Sequence, residues 1–208
     1  MARARDPGPV TFRPLTPARI EDLGAVLRGG WGQGCWCMYP RLTAALERSL
    51  PGPGSERARR KQAMTALARR RRAPGLLAYE DGECVGWVAV APRPELVRIE
   101  RSRATPRVDE VPVWVIPCIT VRKQARGRGL AVALIRAAVD YAASHGAVAV
   151  EAYPRASSAR VQDDYAFYGT QRIFRRAGFR VIARPPRDLP ATWTPRVTMR
   201  LDCATAST

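Results

Sequence analysis

Six consecutive residues carry the strongest chemical signal in this sequence: Arg126-Gly127-Arg128-Gly129-Leu130-Ala131. Two glycines flanked by cations suit a loop that grips an anion through its backbone. Glycine lets main-chain amides approach a phosphate with no Cβ in between. A helix beginning at the same point adds amides that have no intrahelical acceptor. The flanking sequence supplies that context. Residues 113–121 are an apolar, β-branched run containing Ile116, Ile119 and Val121, which predicts a strand. Residues 130–144 set Leu134, Ala137, Ala138, Tyr141 and Ala142 at helical spacing. Strand, glycine turn and helix together predict a diphosphate cradle.

Competing readings of the turn fit less well. A dinucleotide fingerprint fails at its third glycine, where Val132 stands, although Glu151 does end the following strand. Too little chain remains after it for a doubly wound sheet. A Walker loop needs Gly-Lys-Ser/Thr, which is absent, and an Arg-Gly RNA-binding tract would be repetitive. A ligand-free turn is the bland alternative.

The elements that must position this loop are legible in outline. Short strands are expected near 10–13 and 196–201, and a hairpin at 76–92 turns on Asp81-Gly82. Thr16-Pro17 predicts the start of a helix burying Ile20, Leu23, Val26 and Leu27. Ser55 predicts the cap of a basic amphipathic helix at 57–72 with Met64, Leu67 and Ala68 inward. Residues 93–112 read as a long loop with a short helix, 147–153 as a strand parallel to 113–121, 168–177 as a helix and 179–183 as a strand. Pro117 cannot donate to a sheet ladder, so a β-bulge is expected there.

The run Val121-Arg-Lys-Gln-Ala-Arg126-Gly127-Arg128-Gly129-Leu130-Ala131 resembles the acyl-CoA loop V-x-x-x-x-R-G-x-G-x-[GA] of the GNAT superfamily of N-acyltransferases. Phe174-Arg-Arg-Ala-Gly178-Phe179 is similar to that family's Y-x-x-x-G-F. The resemblance covers roughly the second half of the chain. It implies an α/β fold: a mixed, mostly antiparallel sheet with a parallel central strand pair splayed at a bulge, flanked by helices. One domain is expected over 1–208, with a motif core at about 113–180, and the tail at 203–208 is expected to fray as chain ends do. Acetyl-CoA is the implied donor, held by Ile119, Thr120, Val121, Arg126, Gly127, Arg128, Gly129, Leu130, Ala131 and Phe174. Backbone at Ile119 and Val121 would pair with pantetheine, and an amide near Cys118 or Ile119 would face the oxyanion.

The resemblance departs where an acid and a base are needed. Phe174 stands at the usual tyrosine and Phe167 at a common asparagine, so Tyr168 is the expected substitute acid. Glu151, in an apolar strand, is the expected base, against the alternative of a strand-end ion pair with an arginine. Glu100, Asp109 and Glu110 are weaker candidates, and Cys118 reads as inert packing before it reads as a nucleophile. Trp31, Trp36, Tyr39 and Tyr153 are the expected acceptor contacts, with a hydrophobic plug under the sheet as the alternative for the first three.

Composition narrows the classes. The chain of 208 residues has 46% hydrophobic content and can bury a substantial core. No run approaches the ~20 apolar residues of a membrane span, and no apolar signal region follows the first residues, so a cytoplasmic location is expected. Five cysteines and one histidine give neither a disulfide framework nor a metal signature, so no metal is expected. The net charge of +17 is almost all arginine, a bias of GC-rich bacterial coding, which lowers the weight of each arginine. A small-molecule or peptide amine is the expected partner, with an anionic one weakly favoured over a polycation. Nucleic acid on the 57–72 helix ranks below it, a homodimer is an open alternative, and no membrane partner is expected. A non-catalytic acyl-CoA-binding module is the rival from another class.

Overall fold

The structure is a computed structural model that describes residues 8–28, 32–157, 159 and 167–203. It contains strands β1 (Thr11–Pro14), β2 (Gly75–Glu80), β3 (Glu83–Pro92), β4 (Trp114–Val121), β5 (Ala149–Ala152), β6 (Arg180–Ala183) and β7 (Thr198–Asp202). The helices are α1 (Ile20–Leu27), α2 (Gly32–Cys35), α3 (Ala44–Arg48), α4 (Glu56–Ala68), α5 (Val97–Glu100), α6 (Leu130–Ala143) and α7 (Gln171–Ala177). These seven strands form one sheet in the order β1-β2-β3-β4-β5-β7-β6. Among them, only β4 and β5 run parallel. A parallel neighbour needs a long crossover, and α6 is that crossover.

Local chemistry explains the joints. Asp81 and Gly82 both take positive φ, 50° and 81°, the geometry that closes the two-residue β2–β3 hairpin. Ser55 caps α4 by accepting from the Ala58 amide, and Thr170 caps α7 by accepting from Ile173. Gly178, at φ 106°, ends α7 in a Schellman turn: its amide bonds the Arg175 carbonyl and the Phe179 amide bonds the Phe174 carbonyl. That turn folds Phe179 back onto Phe174, with ring centroids 5.2 Å apart at 62°. The Gly-Phe signature is therefore a helix stop with a hydrophobic clasp.

Both faces of the sheet are covered, which is why β3 is buried along nearly its whole length. On one face α6 presents Leu130, Leu134, Ile135, Ala138 and Ala142, together with Phe174 and Phe179. It packs so close that a Cβ on Gly86 would meet Leu134 Cδ1 at 2.8 Å. On the other, Leu23 and Val26 of α1, Met64 of α4 and Trp36 pack under Leu77 and Trp87. The helix expected from residue 168 begins instead at Gln171, because Thr170 takes the extended capping conformation. The 57–72 helix stops at Ala68. The tail expected to fray at 203–208 lies, apart from Cys203, outside the described residues.

Phe174→Ala should lower unfolding free energy by about 3–5 kcal/mol, the usual loss for a fully buried phenylalanine. Urea unfolding reads it. An unchanged midpoint would place that ring outside the core.

Candidate functional site

The site begins with a counting mismatch. Ala89 pairs with Cys118 and Ala91 with Val115, so two steps on β3 face three on β4. The extra residue falls at Ile116-Pro117, the expected bulge. Its effect is seen on the other edge of β4. Pairing with β5 extends only over Trp114–Val150 and Val115–Glu151, and then the two strands part. Beyond the parting, the outward amide of Ile119 donates to the Phe167 carbonyl at 2.8 Å. Arg122 bonds Val85 across the β3 side, so alternation turns the Val121 amide to the same open edge as Ile119.

A cleft of about 800 Å³ lies along that edge. Cys118 to Val121 form its floor, Lys123, Arg126 and Ala131 one end, and Thr170 and Ile173 a side wall. At that end the glycine loop turns into α6. Gly127 and Gly129 both have φ 83°, the left-handed region, and a Cβ at either would find no atom within 4 Å. Among the described residues, the amides of Gly127, Arg128, Gly129, Leu130 and Ala131 donate to no protein acceptor. Internal bonding resumes at Val132 and Ala133, both to the Gly129 carbonyl. Five donors thus converge at the positive end of a 14-residue helix.

The cationic side chains of the loop are already engaged. Arg128 forms a two-pronged pair with Glu80 at 3.0 and 2.8 Å, and Arg126 Nε bonds the Val121 carbonyl at 3.0 Å. What the loop leaves open is its backbone. Phe174 is 0% exposed and does not line the cleft, a correction to its expected donor contact; the Schellman turn aims it inward.

Four further expectations need revision or fall outside the described residues. Glu151 is buried and fully engaged: Oε1 accepts from Arg200 Nε and Nη2 at 3.0 and 2.6 Å, and Oε2 accepts from the Tyr153 hydroxyl. Arg200 also forks onto Asp109 at 2.7 and 2.9 Å, while Tyr153 is bonded by Arg93, which pairs with Glu100 at 2.8 Å. Buried in that network, Glu151 lines neither the cleft nor the second pocket, and its geometry is that of a structural ion pair. Tyr153 is 0% exposed within the same network and offers no surface to an acceptor. Trp36 is the plug: it lies in the core on Gly24, where a Cβ would come within 2.9 Å of its ring. Trp31 lies outside the described residues.

Tyr39 and Tyr168 remain at surfaces that a ligand can reach. Both line a second pocket of about 770 Å³, and Phe167 lines this pocket and the cleft alike. Arg98 stacks 4.1 Å from the Tyr39 ring centre and Arg196 3.8 Å from that of Tyr168. Burial pushes the Tyr168 hydroxyl up to about 12, against the opposing pull of Arg196. It holds its proton throughout the neutral range.

Two features of the site carry no signal in the sequence. Arg98, Arg155 and Arg196 look like any of the chain's many other arginines. Cys37 meets Cys118 at 3.3 Å and accepts from Trp87 Nε1 at 3.0 Å, all beneath the cleft. The bond to Cys118, then burial, drives the Cys37 thiol well up. Among the described residues no cluster of three or more His, Cys, Asp or Glu could hold a metal ion, and no helix is long and apolar enough to cross a membrane.

Comparison with known proteins agrees with this architecture. The family model described as acetyltransferase (GNAT) family matches residues 39–169. The chain belongs to the GNAT acetyltransferase family. Similar solved structures include a GNAT-family protein from Desulfovibrio desulfuricans at 19% identity, covering 94% of this chain and all of the other, TM-score 0.55. A polyamine N-acetyltransferase of Drosophila melanogaster, at 15% identity, covers 93% of this chain and 100% of its own, TM-score 0.55. The ribosomal-protein-S18-alanine N-acetyltransferase of Escherichia coli, at 15%, covers 94% of each, TM-score 0.50. At these identities the likeness establishes the fold. No curated protein matches in sequence.

Glu151→Gln should reduce stability by about 3–5 kcal/mol, because it breaks a buried pair, while kcat of the folded fraction holds. A large loss of kcat at unchanged Tm would restore Glu151 as the base. Stability should also fall in acid. Hydrogen bonding from Arg200 holds Asp109 below the usual carboxylate range. For Glu100, burial pushes up, but bonds from Arg107 and Arg93 outweigh it and hold it below that range. Depressed carboxylates stabilise fully above their unfolded pKa, near ~4, and progressively less as pH falls below it. Tm should therefore decline between pH 5 and pH 3, and a flat profile would contradict the network.

Proposed function

We propose that the chain transfers an acetyl group from acetyl-CoA to the nitrogen of a small-molecule or peptide amine. The observation that carries this reading is the set of five unengaged amides at Gly127 to Ala131, standing at the end of a cleft that runs along the open edge of β4. A pyrophosphate fits that set, since backbone donors and the helix dipole favour it together. Pantetheine then extends along Ile119, Thr120 and Val121, with the Val121 amide its strand-like partner. The thioester falls beside Cys118 and Phe167, next to the second pocket.

Chemistry follows from what the pocket holds and withholds. An amine approaching past Phe167 attacks the thioester carbonyl, nitrogen to carbon, as the carbon–sulfur bond breaks. Tyr168 supplies a proton to the departing sulfur. The Ile119 amide does not serve the oxyanion, since the Phe167 carbonyl already holds it. With Glu151 withdrawn, no Asp or Glu lines the cleft or the second pocket among the described residues, so the amine loses its proton to water.

Three measurements test this. Acetyl-CoA at about 100 times its Kd should stabilise the protein by about 2.7 kcal/mol, a Tm rise of roughly 5–10 °C, whereas NAD at equal concentration should leave Tm unchanged; no rise with acetyl-CoA would end the proposal. Tyr168→Phe should lower kcat at least about tenfold with little change in the acetyl-CoA KM, and an unaltered kcat would remove Tyr168 from the reaction. The rate should climb with pH up to the pKa of the acceptor amine and show no descending limb below about pH 11, because burial pushes the Tyr168 hydroxyl up to about 12. A descending limb near pH 9 would identify a different acid.

A further inference from the structure

Phe167 has the donor cleft on one side and the second pocket on the other. On the acetyl-transfer reading, which this inference rests on, the second pocket is where an amine is received. Its charge is one-sided. Arg98, Arg101, Arg155 and Arg196 line it, and among the described lining residues there is no Asp or Glu. None of the four makes an ion pair with a described residue. By contrast, Arg60, Arg93, Arg107, Arg128 and Arg200 each rest against a carboxylate.

How the four are held matters as much as their number. Arg98 Nε donates to the carbonyls of Tyr39 and Leu42 at 3.0 Å each, and Arg196 Nη1 to that of Tyr153 at 2.9 Å. A carbonyl orients a guanidinium without cancelling its charge. Stacking on Tyr39 and Tyr168 fixes the two planes further, which leaves their remaining N–H groups pre-aimed. Arg155 Nε is buried and donates to nothing among the described residues. A buried donor left in that state is destabilising, and a ligand oxygen would satisfy it. Trp193, 42% exposed, adds an open aromatic wall.

We infer that this pocket selects an acceptor by its anion: an amine carrying a carboxylate or phosphate beside an aromatic or other apolar body. Planar guanidinium forks match both oxyanions, and the partly enclosed site strengthens the pairing. A polycation would meet four charges of its own sign that no described carboxylate neutralises. Basic residues are abundant over the whole surface, but here they converge, with no ion pair among the described residues, on one concave space beside the expected thioester.

Calorimetric titration of the full chain with CoA present decides this without needing turnover. The carboxylate arm compares phenylalanine with phenylalaninamide, the phosphate arm phosphoethanolamine with ethanolamine, and spermidine is the polycation. The anionic member of at least one pair should bind tenfold or more tightly than its neutral analogue, less so at high salt, and spermidine should give no heat. Arg101→Glu, at an exposed position that does not endanger folding, and Arg155→Gln should each weaken the anionic probe at least tenfold. Equal binding within both pairs, preference for spermidine, or unchanged affinity in both variants would overturn the inference. If the anionic probe binds yet acetyl-CoA is neither bound nor consumed, the transferase reading alone fails; CoA release with spermidine and with no anionic amine sinks only the anion selectivity.

Discussion

One surplus residue in β4 governs the rest. Opposite Val90, the chain fits Ile116 and Pro117 where a regular ladder has room for one. Proline has no amide to contribute, so its insertion forfeits little hydrogen bonding at a place where bonding is already lost. The twist it adds carries the second half of β4 away from β5, and the gap exposes a strand edge inside a sheet otherwise paired on both sides. An open edge within a core is costly unless something covers it. The Phe167 carbonyl covers Ile119, the Arg126 guanidinium covers the Val121 carbonyl, and the Val121 amide is left facing the cleft.

Beside the parting runs a chain of charges, buried at Glu151, Arg200 and Arg93 and open to solvent at Asp109. Asp109, Arg200, Glu151, Tyr153, Arg93 and Glu100 link the excursion before β4 to β5 and β7. Desolvating so many ions brings little net stability. What the network contributes is geometry, because each member is satisfied in only one arrangement. It fastens α5 and the residue after it, with Arg98 and Arg101, against β5 and β7, beside whose ends Arg155 and Arg196 form an isolated bridge. Glu151, the residue in this family member that most invites a catalytic role, is used to build the walls.

Legibility in the sequence tracks how local the determining physics is. The hairpin at Asp81-Gly82, the cap at Ser55, the bulge at Pro117 and the glycine entry to α6 depend on backbone preferences of the residues themselves, and each is readable from them. The side chains that defeat such reading are those whose fate depends on distant partners. Nothing near Glu151 in sequence announces Arg200 or Arg93, and nothing near Trp36 announces the space above Gly24. Phe174 differs for another reason: its motif suggests a ligand contact, whereas Gly178 and Phe179 turn its ring into the core. The arginine pocket is hidden by composition, since its members are separated by up to 98 positions and look in the sequence like any other arginine of the chain.

The proposed binding of acetyl-CoA depends on the donors between Gly127 and Ala131. The most direct test is an amide-resolved NMR titration of the labelled protein with acetyl-CoA. The five loop amides and that of Val121 should shift together and gain protection from hydrogen exchange, at one common affinity, while the amides of β1 and β6 stay still. Saturation of acetyl-CoA binding with those six signals unmoved would contradict it.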